Sequence, residues 1–193
     1  MKKTYVLFLT ILLVSFSTIK SRNVKIEIKT EIGSIIAELY PEKAPVTCEN
    51  ILKYIRNDKF ENARFYRVVR MDNQPNNNIK IEVIQGGLEI EAEESPYKPI
   101  LHETTKDTGI LHTDGILSMA RVEPGTASSE FFICVGNQPE LDFGGQRNPD
   151  GQGFASFGKV IEGMEIVKRI QLGEDENQML LDKVEILSIG LLK

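Results

Sequence analysis

The chain has 193 residues, with 23 Lys and Arg against 28 Asp and Glu, a formal net charge of -5, 41% hydrophobic and 26% charged residues. That mix suits one globular domain with its own core rather than a disordered chain, and the acidic excess excludes a nucleic-acid backbone binder. Two cysteines and two histidines are too few for a disulfide framework or a Cys/His zinc site, so neither a metal nor a cofactor is expected.

Residues 1–17 begin Met-Lys-Lys, run through an apolar stretch from Tyr5 to Phe16, and leave through Ser15-Phe16-Ser17. A short cationic start, an apolar core and a small-x-small exit describe a secretory signal peptide. The stretch falls short of the roughly 20 apolar residues of a membrane span. The expectation is an exported protein, periplasmic or secreted, with no stable membrane insertion after cleavage; an uncleaved anchor is the alternative.

The folded domain is expected over 24–193. Lys25–Lys29 alternates strictly and Ser34–Leu39 is an apolar run, and Gly33 sits where a hairpin bend needs a permissive residue. Pro45 opens a segment with Cys48, Ile51, Leu52 and Ile55 at the spacing of an amphipathic helix. Short apolar runs follow at Phe65–Val69, Ile81–Ile84, Ile116–Met119, Phe131–Val135 and Phe157–Ile161. Met164, Val167 and Ile170 predict a second helix ending near Gly173, and Val184–Ile189 a last strand. Asp72–Asn78 reads as a surface loop, Glu89–Glu94 as a solvated acidic face, and Phe143–Gly153 as a turn-rich loop. Two helices among many short strands favour a barrel or sandwich. Cys48 and Cys134 read as two separately buried thiols, although a bridge is conceivable.

Several segments, in order, carry a resemblance: Phe65-Tyr66-Arg67-Val68-Val69, Gln85-Gly86-Gly87, Gly115 through Ala120, Ser128 through Ile133, and Phe157-Gly158-Lys159-Val160 before Glu162-Gly163-Met164. Together they resemble a cyclophilin-type peptidyl-prolyl cis-trans isomerase, of the bacterial, exported kind. The resemblance implies a mainly β fold, a closed eight-stranded antiparallel barrel capped by two helices. It also implies a monomer that accelerates rotation about X–Pro bonds in proline-containing polypeptides and assists the folding of exported proteins.

Carried over residue by residue, the resemblance makes Arg67 the catalytic arginine aimed at the prolyl nitrogen. Gln85 becomes the glutamine that orients it and hydrogen-bonds the substrate carbonyl. Phe132 is the floor of the proline pocket, Leu141 its aliphatic wall, Val83 stands where a pocket methionine is common, and Phe154 is a rim residue. Ala120, Arg121 and Val122 form the substrate-binding strand. The main chain of Arg121 would pair with the peptide, and its side chain would reach acidic substrates. Phe131, alternating with Phe132, should face the core. His112 is expected to brace the Thr113–Gly115 loop.

The chain also departs from the family pattern. Seventeen residues separate Arg67 from Gln85, an insertion centred on 72–81. Glu82 stands where the second pocket aromatic is usual, so the pocket either gains a carboxylate or receives another side chain from the insertion. Glu130 replaces a common glutamine. Glu140 replaces the tryptophan tied to tight cyclosporin binding, which implies weak drug sensitivity. Glu82 and the insertion motivate a second reading, a proline-peptide binding module with little catalysis.

Overall fold

The computed structural model describes residues 23–192, so the signal segment expected at 1–17 lies outside the described residues. The chain order is β1 (Val24–Thr30), β2 (Gly33–Leu39), α1 (Pro45–Arg56), β3 (Arg64–Val69), β4 (Val83–Gly87), α2 (Thr105–Thr108), β5 (Ile116–Met119), β6 (Phe131–Cys134), β7 (Ala155–Glu162), α3 (Met164–Gln171), β8 (Asp175–Glu176) and β9 (Met179–Leu191). Neighbours around the sheet run β1-β2-β7-β5-β6-β4-β3-β9, and β9 returns to β1 through the pairing Ile26–Leu191. Every pairing is antiparallel. Two-residue β8 only folds back on β9. The result is the closed eight-stranded barrel that the resemblance implies, and closure pairs both edges of all eight barrel strands.

Alternation fills the interior. Ile26 and Ile28 of β1, Ile35, Ala37 and Leu39 of β2, and Phe65, Phe131 and Phe157 are all buried. Phe131 meets Phe65 edge-on at 5.9 Å and Phe60 at 6.2 Å, so it faces the core as alternation requires. Burying each such side chain stabilises the fold by about 1.5–3 kcal/mol.

Helix α1 starts at Pro45 and turns Cys48, Ile51, Leu52 and Ile55 onto the barrel. α3 follows Gly163, whose φ of 90° and close approach to the Ser34 carbonyl leave no room for a Cβ. The two helices therefore sit at opposite ends of β2. α2, a single turn, went unread in the sequence: Thr104 Oγ1 accepts from the Asp107 N–H at 3.3 Å, and Gly109 ends the turn at φ 68°. No helix among the described residues is long and apolar enough to cross a membrane.

Three local departures position the site. First, β3 carries a bulge: Phe65 faces Gly86 and Arg67 faces Gln85, so Tyr66 is the extra residue. A bulge turns neighbouring side chains to one face, and here Tyr66 and Arg67 both leave the core. Second, the run Ile81–Ile84 becomes a strand only from Val83. The backbone of Ile81 is taken by the buried Gln74 side chain, which donates to its C=O at 2.8 Å and accepts from its N–H at 3.3 Å. The 72–78 stretch is thus anchored by a buried amide rather than merely solvated. Third, β9 is longer than the predicted 184–189 because its first residues pair with β3 and β8.

Cys48 and Cys134 are separate free thiols, both buried, and Cys48 Sγ donates to the Phe157 carbonyl at 3.4 Å.

Candidate active site

Register lines up a row of outward side chains across four strands. Arg67 on β3 faces Gln85 on β4, Gln85 faces Phe132 on β6, and Phe132 faces Ser118 on β5. Over this row lies a cleft of about 570 Å³. Arg67, Val83, Gln85, Ala120, Arg121, Val122, Phe132, Leu141 and Phe154 all line it, so the structure brings together the nine residues assigned to the site from the sequence.

The floor is Phe132. It packs edge-on against Phe154 at 5.3 Å and lies stacked on the His112 ring at 5.9 Å. His112 is buried, with Nδ1 2.8 Å from Asp142 Oδ1 and Nε2 2.9 Å from Ser118 Oγ. It therefore braces the floor from below rather than the Thr113–Gly115 loop. Leu141, on the turn Pro139–Leu141, is buried and forms the wall. On the opposite side Ile81 and Val83 complete the apolar surround, while Glu82 stays off the cleft. Of the two alternatives the second is the one found: Ile81 of the insertion lines the cleft and Glu82 does not.

Arg67 is held on both edges of its guanidinium. Nη1 donates to Gln85 Oε1 at 2.8 Å; Nη2 and Nε donate to Gln178 Oε1 at 2.6 and 3.2 Å. Among the described residues no carboxylate comes within ion-pair distance of it. Burial holds its pKa below the ordinary arginine value. Two neutral amide oxygens thus fix the group and leave its charge uncancelled.

Behind Gln85 the polarity continues in one direction. Gln85 Nε2 donates to Tyr66 Oη at 2.6 Å, and Tyr66 donates to Glu130 Oε2 at 2.6 Å. Glu130 also accepts from the N–H groups of Leu88 and Glu89 and from Ser129 Oγ. Burial nevertheless raises its pKa, and burial beside that carboxylate raises the pKa of Tyr66.

Arg121 differs from expectation. Its side chain is 1% exposed, pairs with Asp150 at 2.8 Å, and donates to the Gly153 carbonyl. Its guanidinium also lies over Phe154 at 5.1 Å. It cannot reach a substrate's acid, because Asp150 and the loop carbonyl already occupy its donors. Its main chain is free as expected: among the described residues neither its N–H nor its C=O has a partner.

Sequence reasoning missed Tyr66, Ile81, Arg147 and Gln178. Arg147 enters the cleft from the 143–153 loop and is tied by Nη1 to Gln74 Oε1 at 2.9 Å and the Ile79 carbonyl at 2.6 Å. Strict alternation hides Tyr66 beside Arg67, and nothing in Asp175-Glu176-Asn177-Gln178 beyond a turn signal points to Arg67.

Residues 24–191 match the family model described as cyclophilin type peptidyl-prolyl cis-trans isomerase/CLD. The chain is 36% identical over 150 residues to a peptidyl-prolyl cis-trans isomerase of Acinetobacter baylyi, covering 77% of this chain and 72% of that protein. It is 33% identical over 144 residues to peptidyl-prolyl cis-trans isomerase B of Escherichia coli, covering 74% and 80%. A crystal structure of a Cryptosporidium parvum cyclophilin type isomerase in the presence of the dipeptide Ala-Pro superposes with a TM-score of 0.66 at 24% identity, over 88% of this chain and 99% of that one.

Proposed function

Because the chain belongs to the cyclophilin-type peptidyl-prolyl cis-trans isomerase family and is such an isomerase, we propose that its cleft seats a proline ring on Phe132, with the Arg67 guanidinium at the prolyl nitrogen. Rotation about an X–Pro amide meets a barrier of about 18–20 kcal/mol, since the planar form loses its resonance midway. At that point the nitrogen regains a lone pair. A charged donor fixed beside it binds the twisted amide better than either planar form, which is what lowers the barrier. No nucleophile or acid–base pair is required.

The observation that carries this reading is the two-sided grip on an unneutralised Arg67 beside an apolar floor. Leu141, Val83 and Phe154 confine the ring on this reading, and the free N–H and C=O of Arg121 take the flanking chain as an added strand. Gln85 uses Oε1 for Arg67 and one amide hydrogen for Tyr66, which leaves the second hydrogen for a substrate carbonyl. A binding module without turnover keeps only one of its two motives, the insertion, because Glu82 lies outside the cleft.

The test is cis/trans exchange of a proline tetrapeptide followed by protease-coupled absorbance or NMR. Wild-type protein accelerates it and Arg67→Ala does not; equal rates for the two proteins would refute the assignment.

The signal-like pattern of residues 1–17 further supports an exported folding assistant acting on secreted or periplasmic chains. N-terminal sequencing of the protein recovered from a secreting host checks this. A mature chain starting near residue 18 is expected, and an intact Met1 in the cytoplasmic fraction would exclude it.

A further inference from the structure

The β8–β9 hairpin turns through two successive left-handed residues, Asn177 at φ 53° and Gln178 at φ 73°. A two-residue turn of this hand suits Asn at its first position and glycine at its second, where a side chain is strained. Gln178 occupies the glycine position. Strain of this kind persists only where the surroundings hold it in place, and it collects at functional sites.

The surroundings do hold it. The Gln178 N–H donates to Asp175 Oδ2 at 2.9 Å, and its C=O accepts from the Val68 N–H at 2.8 Å, which clips the turn to β3 one residue beyond Arg67. Its side-chain Nε2 donates to the Asn73 carbonyl at 3.2 Å. That leaves Oε1 facing Arg67, where it accepts from both Nε and Nη2. The support is itself braced: Asn73 Nδ2 donates to Asp175 Oδ2 and to the Val68 carbonyl, both at 3.1 Å, and Arg70 pairs with Asp175.

We propose that Gln178 is a positioning residue for the isomerisation: it fixes the outer edge of the Arg67 guanidinium while Gln85 fixes the inner edge. This rests on the reading of Arg67 given above. The chemistry explains why the residue is glutamine. Glycine would relax the turn and leave one edge of the guanidinium unheld. Glutamate would hold the edge but pair with the charge, weakening the field at the prolyl nitrogen. A neutral amide oxygen orients without neutralising, and its own NH₂ group is oriented by the inserted 72–81 segment through Asn73.

Three variants test this: Gln178→Gly, Gln178→Glu and Arg67→Ala. For Gln178→Gly the thermal midpoint stays level or rises, because turn strain is relieved, while kcat falls roughly 10- to 100-fold through misorientation and KM moves little. A merely structural glutamine would instead give a lower midpoint and unchanged kcat. For Gln178→Glu, kcat is low at neutral pH and recovers as the new carboxylate is protonated, an acid-side gain that wild-type protein lacks. Inactive Arg67→Ala together with fully active Gln178→Gly would overturn the role of Gln178 alone. Active Arg67→Ala would overturn the reading beneath it.

Discussion

Arg67 and Gln85 are cross-strand partners on β3 and β4, and the 2.8 Å bond from Nη1 to Oε1 is a direct product of that register. The guanidinium is therefore aimed by the sheet itself. A one-residue slip would turn one of the two toward the core, so the closure of the barrel and the geometry of the cleft are the same fact.

Lysine cannot occupy both grips. Arg67→Lys keeps the charge but lacks the planar fork that reaches Gln85 and Gln178 together. Its kcat/KM should fall on the order of 100-fold, the scale of losing one fixed donor at a transition state, with an unchanged urea midpoint. Near-wild-type turnover would mean that charge alone suffices.

Gln74 is fully buried, with its amide satisfied by Arg70, Ile81 and Arg147. Gln74→Ala should destabilise the fold by about 1–3 kcal/mol, the scale for buried polar groups left unpaired. It should also raise KM for proline peptides, because Ile81 leaves the pocket wall. Urea titration and peptide binding read the two effects separately.

Glu130 gives stability a pH dependence. Its folded pKa lies above the unfolded value of about 4.3 because burial disfavours the carboxylate. The folded protein then holds that proton to higher pH than the unfolded chain. The stability linked to the group is complete below the unfolded value and is lost as pH rises through the folded one. Denaturation midpoints taken upward from about pH 4 should show this fall, and Glu130→Gln should remove that part of the slope.

Arg67 and Arg147 both line the cleft, and among the described residues neither has a carboxylate within ion-pair distance. Burial and the neighbouring Arg67 charge hold the pKa of Arg147 down. Glu91, Glu93 and Glu123 line the same cleft, so the preference is local: a peptide acid seated at Arg147 should bind better than a lysine placed there. Arg147→Gln should reduce that preference about fivefold, near 1 kcal/mol for a half-exposed pair. Added salt should shrink it as well. An equal preference in the variant would assign it elsewhere.

Burial raises both thiols, Cys48 to about 12. A disulfide reagent at neutral pH should leave the native protein unlabelled and react with both only on unfolding, since the thiolate is the reactive form.

Most of the barrel was legible because its strands are short and alternating, with turn residues between them. The nine residues assigned to the site were legible through motif order, and all nine line the cleft. Arg121 was misjudged at its side chain, since the partner Asp150 lies 29 positions away in a loop whose shape no local pattern encodes. Tyr66 was hidden because a bulge breaks the two-residue period. Ile81 was read as strand because its hydrophobicity says nothing of the amide that captures its backbone. Gln178 was invisible for a third reason: it reaches Arg67 across 111 positions from a turn where side chains are disfavoured.

The pocket wall at Ile81 belongs to a segment fastened by a buried amide rather than woven into the sheet. One buried amide therefore holds the pocket wall and contributes to the stability of the fold together. The same segment supplies Asn73, whose carbonyl takes the Gln178 amide, so a change between Val69 and Val83 reaches the outer grip on Arg67 as well as the pocket wall.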